Sequence, residues 1–378
     1  MNRTRLNQHT LPPASLILHP RRAFTLVELL VVITIIGILA SLITVAAIGA
    51  LKAMQRTRIK AEITEVSNGF DEYKNKVTAY PPNCQTDTAG ILVKVDVLND
   101  VKRHIKQIAT RSAESDDLAR VLTGQAAQIE PANYPAQWTS NKLIGGITAA
   151  EAVPFWLGGF SSDPKFPISG DNGGPSYSIT SQGAATNNQL DPIESRKWVY
   201  PFDVTRLGPR GPDGYFNGRF IEYRAPNGGW RRINFWTYTP AKSQQPLLYF
   251  DTSRHPIPVK NGNLIASYDP PASTAPGAGD LELVFAFKKK AEMQAANSPV
   301  VQYINPDRFQ IVHCGIDDAW DVTNFERTGI PRSGVKNDLS DNNFQQKMLL
   351  FPDGPYIGEI ADTIVNFTTE TTIEDAQK

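Results

Sequence analysis

The sequence predicts an α+β protein in which a long N-terminal helix, membrane-embedded in its first half, packs on an antiparallel β-sheet domain with a helical insertion. Three observations predict this class. A run of 23 residues without charge covers Leu29–Leu51. An apolar stripe at helical spacing continues beyond it as far as Val77. From about residue 160, short β-rich runs alternate with segments rich in Gly, Pro, Asn and Ser.

The uncharged run is long enough to cross a bilayer, because a transmembrane helix needs about 20 apolar residues. Residues 1–23 carry four arginines and no acidic residue, which favours a cytoplasmic N-terminus. A single carboxylate, Glu28, precedes the run, and a charge inside a membrane is costly unless it has a partner. The partner we expect is the α-amino group of Phe24, which cleavage after Ala23 would release.

Residues 21–53 resemble the N-terminal signature of type IV prepilins and type II secretion pseudopilins. In that signature a basic leader and a small residue precede a Phe, which opens a T-L-x-E-L-L motif and an apolar helix. The matching positions are Phe24, Thr25, Leu26, Glu28, Leu29, Leu30, Val32, Ile36, Gly37 and Ile38. One position departs from the signature, because Ala23 stands where glycine is usual. Alanine is the next smallest side chain, so we expect cleavage to survive.

The resemblance implies a processing route, a location and partners. A prepilin peptidase would remove residues 1–23 on the cytoplasmic side and methylate the new amino group of Phe24. The mature chain would cross the bacterial inner membrane once, with its globular domain outside the cytoplasm. It would then join other pilin or pseudopilin subunits in a pilus or pseudopilus. There, Glu28 of an incoming subunit would neutralise Phe24 of a subunit already docked.

The alternatives at the N-terminus are a secretory signal and a plain membrane anchor. A secretory signal has an apolar core of about 7–15 residues followed by its cleavage site. Here the cleavage motif precedes a longer run, and a plain anchor has no use for Glu28. The sequence therefore favours a structural subunit of a type II secretion pseudopilus or type IV pilus, and the large domain suggests a minor subunit. The alternative function is a membrane-anchored binding module, adhesin or hydrolase that carries a pilin-type leader.

The predicted segments are a leader (1–23), a transmembrane and filament-core helix (24–52), an amphipathic continuation of that helix (53–80) and a globular domain (81–378), which could divide near residue 160. The apolar residues of the continuation share one helix face: Ile59, Ile63, Val66, Phe70, Tyr73 and Val77. The polar residues assigned to the opposite face are Arg56, Arg58, Lys60, Glu62, Glu65 and Lys74.

Further elements follow Pro81 and Pro82, which end the first helix. Residues 94–127 are predicted to form one or two helices, and a capping box of Thr148 and Glu151 opens another. The predicted strands cover residues 219–224, 231–238, 246–250, 283–287, 309–313 and 363–367. We expect them to form one sheet packed on the N-terminal helix.

The late segments 309–318 and 362–367 resemble the end of the major type II secretion pseudopilins, where a strand leads into a G-x-D-G turn. Gly315 matches that turn. The loop of that family can bind calcium, so the resemblance implies a Ca²⁺ site for which the chain offers three carboxylates, those of Asp317, Asp318 and Asp362. The alternative is a solvated acidic turn in which the aspartates cap backbone amides.

Composition and motifs argue against several other classes. The chain after the leader has 34 basic and 38 acidic residues, so it lacks the basic excess of a nucleic-acid-binding protein. The patterns G-x-S-x-G, G-x-x-x-x-G-K-[ST], H-E-x-x-H and C-x-x-C do not occur. We therefore expect no partner nucleic acid and no enzymatic activity.

The chain has two cysteines, Cys84 and Cys314. They could form a disulfide bridge, since disulfides persist outside the cytoplasm, or remain two separate buried thiols. His313 precedes Cys314 directly, and neighbouring residues of a strand face opposite sides of a sheet. A zinc site shared by these two residues is therefore not expected.

Overall fold

The structure is a computed structural model, and it describes residues 25–84, 94–124, 146–170, 173–180, 196–212, 214–225, 228–254, 286–290, 301–318, 351–352 and 361–376. The chain divides into two compact units, Met1–Leu51 and Lys52–Lys378. The first unit contains the apolar half of the first helix, and the second contains its amphipathic half together with the rest of the fold.

The first helix, α1, spans Leu26–Val77 without a break, as the sequence predicts. It ends at Thr78, whose φ of 71° is left-handed and cannot continue a helix. The predicted apolar stripe of its second half is the face that is buried, since all six side chains are at most 8% exposed. Burial of this stripe, rather than helix propensity, stabilises the second half.

The described residues form four further α-helices: α2 (Lys94–Ile108), α3 (Asp116–Leu122), α4 (Ala149–Leu157) and α5 (Ile373–Ala376). The hydroxyl of Ser115 accepts from the amides of Asp117 and Leu118 and so caps α3. The predicted capping box opens α4: the Glu151 amide donates to the Thr148 hydroxyl at 3.2 Å, and the Thr148 amide donates to the Glu151 carboxylate at 2.9 Å. The helices predicted around residues 94–127 and after Thr148 are therefore confirmed within the described residues.

The strands are short and pair in antiparallel fashion. They are β1 (Ser176–Ile179), β2 (Leu207–Gly208), β3 (Phe220–Arg224), β4 (Trp230–Asn234), β5 (Thr237–Tyr238), β6 (Leu248–Asp251), β7 (Lys288–Lys290), β8 (Val301–Tyr303), β9 (Phe309–His313) and β10 (Ile364–Val365).

The described strands form two three-stranded sheets, β1-β4-β3 and β10-β9-β6, and two ribbons, β2-β5 and β7-β8. The α+β class and the antiparallel pairing are confirmed, but the prediction of one sheet is wrong. The two sheets are separate hydrogen-bonded groups, because β4 pairs with β1 and β3, whereas β9 pairs with β6 and β10. Of the strand predicted at residues 283–287, residues 283–285 lie outside the described residues, and residues 286–287 directly precede β7.

The sheet β10-β9-β6 is buried on both of its faces. Tyr249 and Phe309 lie in the core cluster that contains the α1 stripe, whereas Phe250 and Val312 lie in a second cluster. Successive strand residues point to opposite faces, so side chains that can be buried are needed on both faces. This explains why β6 and β9 are mostly apolar and why the buried amide of Gln310 is hydrogen-bonded to the backbone of Phe287 and Ile304.

Candidate functional site

The N-terminal end of α1 is closed by a capping box between Thr25 and Glu28. The amide and the hydroxyl of Thr25 both donate to Glu28 Oε2 at 2.9 Å, and the Glu28 amide donates to Thr25 Oγ1 at 3.2 Å. The carboxylate also lies at the positive end of the helix dipole. The pattern Thr25-x-x-Glu28 is a sequence signature of this cap. The cap was missed because Glu28 was expected to pair only with the amino group of Phe24.

Ala23 and Phe24 lie outside the described residues. The cleavage site between them, the methylation of Phe24 and its pairing with Glu28 therefore stay predictions. Thr25 is the first described residue, one position after the predicted new N-terminus.

The apolar half of α1 is exposed within its own unit. Among the described residues, α1 is the one helix long and apolar enough to cross a membrane. Its large side chains from Leu26 to Met54 are 43–79% exposed. Soluble proteins rarely expose contiguous apolar patches of more than a few hundred Å². This surface requires lipid or other apolar helices around it.

Glu62 attaches the second half of α1 to the strands beside it. Its carboxylate accepts from Arg206 Nη1 at 2.6 Å, from the Tyr238 hydroxyl at 3.5 Å and from the Ala241 amide at 3.4 Å. The residue is 8% exposed. The prediction that Glu62 lies on the solvent-facing side of α1 is therefore wrong. Burial of a carboxylate becomes favourable only when the fold supplies several hydrogen-bond donors, as it does here.

Two basic residues of α1, Lys60 and Arg56, bind the segment that contains β10. The helix pattern places both of them, like Glu62, on the polar face. Lys60 Nζ donates to the carbonyl oxygens of Val365 and Thr368 at 2.6 and 2.7 Å. Burial lowers the pKa of Lys60 to about 8. Arg56 Nε lies 2.6 Å from Asp362 Oδ1. Both cations bind a segment some 300 positions later in the chain, and helix periodicity cannot predict such partners.

The late turn predicted around Gly315 is formed. Gly315 has a φ of 112°, and a Cβ there would lie 2.5 Å from the Asp362 carbonyl oxygen. The Ile316 amide donates to Asp362 Oδ2 at 2.7 Å. Asp318, with a φ of 55°, accepts from the Ser243 hydroxyl and, at 2.9 Å, from the Gln244 amide.

Two of the three carboxylates predicted to bind calcium, those of Asp318 and Asp362, are bound by protein donors. Calcium takes six to eight oxygen ligands that converge on one point. Asp362 instead faces the Arg56 guanidinium and the Ile316 amide, and Asp318 accepts from Ser243 and its neighbour. Asp317 is exposed. The Ca²⁺ site stays a prediction, and the alternative of aspartates that cap backbone amides describes Asp318 and Asp362 better.

The turn brings together a different set of donors. One ring nitrogen of His313, the Cys314 sulfur and a carboxylate oxygen of Asp318 lie within 4.8 Å of one another. The expectation that His313 and Cys314 diverge is wrong, because β9 ends at His313 and the chain turns at Gly315. Burial lowers the pKa of His313 to about 4, so its ring is neutral near pH 7.

The two cysteines are free buried thiols, so the predicted disulfide is not formed. Cys84 belongs to the core cluster beneath α1, whereas Cys314 belongs to the cluster on the other face of the sheet β10-β9-β6. Burial raises the pKa of both thiols, which keeps them protonated.

A buried polar network, which no sequence pattern indicated, links α1, α2 and the end of β6. The Tyr73 hydroxyl and His104 Nε2 share a hydrogen bond of 2.8 Å, and Arg254 Nη2 lies 3.3 Å from His104 Nδ1. Arg254 also pairs with the buried carboxylate of Asp251. Burial, with a smaller contribution from Arg254, lowers the pKa of His104 to about 3.

Comparison with known proteins agrees with the N-terminal geometry. Residues 18–44 match the family model described as a prokaryotic N-terminal methylation motif. The type II secretion system core protein G of Klebsiella michiganensis is 31% identical over 114 residues, which cover 29% of this chain and 80% of that protein. No solved structure matches the chain. The matched residues include the capping box of Thr25 and Glu28 and the start of the exposed apolar half of α1. The chain therefore belongs to the family of type IV prepilins and type II secretion pseudopilins.

Proposed function

We propose that this chain is a pilin-like structural subunit that a prepilin peptidase processes between Ala23 and Phe24 and that then assembles into a type II secretion pseudopilus or type IV pilus. The observation that carries the proposal is the exposed apolar half of α1, whose first turn holds Glu28, within the methylation motif. The proposal includes a single membrane pass through the bacterial inner membrane, with residues 52–378 outside the cytoplasm. It assigns the chain no enzymatic role.

The capping box supports a specific assembly step. Cleavage would place the α-amino group of Phe24 directly before Thr25, whose amide and hydroxyl already bind Glu28. An ammonium within about 4–6 Å of a carboxylate favours the charged form of each group. In a filament, the Glu28 carboxylate of an incoming subunit would pair with the Phe24 amino group of a subunit already docked. The helices would then pack side by side through close van der Waals contact.

The size of the chain supports a minor subunit. The stretch similar to the Klebsiella protein covers 29% of this chain, so most of residues 52–378 has no counterpart in that relative. A large domain is easier to accommodate at a filament end or at rare positions than in every repeat.

N-terminal sequencing and intact mass of the protein from its native membrane test the processing step. We expect an N-methylated Phe24 as the first residue. A first residue of Met1, or a cleavage after the apolar run, would contradict the proposal and leave an anchored or secreted globular protein.

Assembly is tested with two substitutions at Glu28 and one control. Glu28→Ala removes both the charge and the cap, whereas Glu28→Gln keeps a capping acceptor and removes only the charge. We expect both variants to be processed and membrane-bound but absent from sheared filaments. Thr34→Ala, which removes an exposed hydroxyl bonded to the Leu30 carbonyl, is the matched control and should assemble. Normal assembly of Glu28→Ala would favour an anchored binding module, adhesin or hydrolase.

A further inference from the structure

We propose that His313, Cys314 and Asp318 form a binding site for a divalent transition metal of the zinc class. One ligand atom of each residue lies within 4.8 Å of the other two. Zinc accepts imidazole nitrogen, thiolate sulfur and carboxylate oxygen in tetrahedral sites. Calcium takes oxygen ligands alone. The proposal therefore differs from the calcium site in both metal and ligands, and it does not depend on the proposed function.

The backbone around the three residues is shaped to bring them together. His313 is the last residue of β9, and Gly315, with a φ of 112°, turns the chain directly after Cys314. Asp318 adopts a φ of 55°, a conformation that few residues other than glycine adopt. The Ser243 hydroxyl and the Gln244 amide hold its carboxylate in place. The three donors therefore lie close together, and small side-chain shifts would bring them to bonding distance of one metal ion.

The hydrogen bonds of His313 occupy both of its ring nitrogens. The Gly315 amide donates to Nδ1 at 3.1 Å, and Nε2 lies 2.9 Å from the Ser243 hydroxyl oxygen and 3.2 Å from the Gln245 carbonyl oxygen. A metal would take the place of the partner at one nitrogen, and the hydrogen bond at the other nitrogen would orient the ring, as is typical of metal-bound histidines.

Charge and access are also suitable. His313 and Cys314 are at most 1% exposed, whereas Asp318 and Ser243 are partly exposed and provide a route from solvent. On binding, the Cys314 thiol loses its proton to solvent, and the imidazole stays neutral. One thiolate and one carboxylate then balance the two charges of the metal. A water molecule would complete the tetrahedron.

Cobalt(II) is a suitable probe, because a cobalt–thiolate bond gives a charge-transfer absorption that reports the sulfur ligand directly. The full chain in detergent, stripped of metal by chelation, is titrated with Co²⁺ and then with Zn²⁺. We expect one Co²⁺ per chain, a thiolate band, and displacement by Zn²⁺. Absence of the band in the wild-type protein would overturn the proposal.

Two cysteine variants form a matched pair. Cys314→Ser should abolish the band and weaken Co²⁺ binding by at least about 100-fold. Substitution of a residue that only hydrogen-bonds to a metal ligand weakens binding by up to about 100-fold, and loss of a ligand itself should have at least that effect. Cys84→Ser changes the other buried thiol, which lies outside the cluster, and should leave the titration unchanged. A band that persists in Cys314→Ser, or disappears in Cys84→Ser, would overturn the assignment.

Asp318→Asn provides a second test, because its side chain is partly exposed and its substitution is less disruptive to folding. We expect the band to remain but the affinity for Co²⁺ to fall at least about 10-fold. Circular dichroism of each variant establishes that it is folded, and Asp318→Asn decides the matter if Cys314→Ser does not fold. Unchanged affinity in Asp318→Asn, or displacement of Co²⁺ by millimolar Ca²⁺, would contradict the proposal.

Discussion

The ring of Phe70 on α1 stacks on the ring of Tyr249 on β6, with 4.3 Å between the ring centroids. The Tyr249 hydroxyl donates to the Pro81 carbonyl oxygen at 2.8 Å, just after the helix ends. One tyrosine therefore binds both the buried face of α1 and the segment that leaves it. This pair joins the second half of the helix to the sheet β10-β9-β6.

Phe70→Ala should lower the free energy of unfolding of the Lys52–Lys378 unit by about 3–5 kcal/mol, because it leaves a cavity against Tyr249 and Phe309. Urea denaturation followed by circular dichroism measures the change. Tyr249→Phe keeps the ring but removes the bond to Pro81, and it should cost about 1–3 kcal/mol. A larger loss in Tyr249→Phe than in Phe70→Ala would show that packing is not the main contribution.

Two glutamates of α1 provide a matched comparison of a buried and an exposed ion pair. Glu62→Ala removes the acceptor of Arg206 Nη1 and of the Ala241 amide, while Arg206 keeps its pairing with Asp203, and we expect a loss of about 2–4 kcal/mol in the free energy of unfolding. Glu72 pairs with the exposed Lys76 at 2.7 Å, so Glu72→Ala should change stability by less than about 0.5 kcal/mol. Equal effects of the two substitutions would contradict the anchoring role of Glu62.

His104 should make the fold sensitive to acid. Its pKa is about 3 in the folded protein against 6.5 ordinarily, so between these values the unfolded chain binds a proton that the folded chain does not. The free energy of unfolding should therefore fall on acidification from about pH 6.5 towards pH 3, by up to roughly 1.4 kcal/mol per pH unit. Urea denaturation at several pH values measures this slope.

His104→Gln removes its titration and should reduce the slope over the same pH range, while both proteins keep parallel profiles above pH 7. His313, whose pKa burial lowers to about 4, and Asp251 and Glu114, whose pKa values burial raises, titrate in both proteins and cancel in the comparison. Identical slopes in both proteins would show that His104 does not account for acid sensitivity.

Calcium should not stabilise this chain specifically. Because Asp362 already binds the Arg56 guanidinium and the Ile316 amide, we expect Ca²⁺ to change the melting temperature no more than Mg²⁺ does. Thermal unfolding with each ion, after chelation, measures this. A rise specific to Ca²⁺ that disappears in Asp362→Asn would instead establish the calcium site that the resemblance implies.

The sequence predicted the features that depend on local patterns. The span of α1, its buried stripe and the capping box at Thr148 follow from periodicity and from side chains that bind nearby amides. The partners of Glu62 and Lys60 could not be predicted in this way, because they lie far along the chain. A polar residue on the polar face of a helix is predicted from the sequence to face solvent, even where a distant part of the chain supplies it with a buried hydrogen-bond partner.

The late turn shows the same limit at a site. The resemblance located the turn at Gly315 correctly, since the Asp362 backbone leaves no room there for a side chain. Strand alternation, however, gave the wrong result for His313 and Cys314, because it applies only while the strand continues. The end of β9 lies between these two residues, and a boundary cannot be placed to one residue from the sequence.

The attachments of α1 also have a kinetic consequence. Glu62 and Tyr238 are 176 positions apart, and Lys60 and Val365 are 305 apart. Contacts of such high sequence separation slow folding, since the chain must close long loops before they stabilise it. During synthesis, the apolar stripe of α1 emerges long before β6, β9 and β10. Until the elements that pack on it have been made, that stripe is an exposed apolar surface, and such surfaces are prone to aggregation.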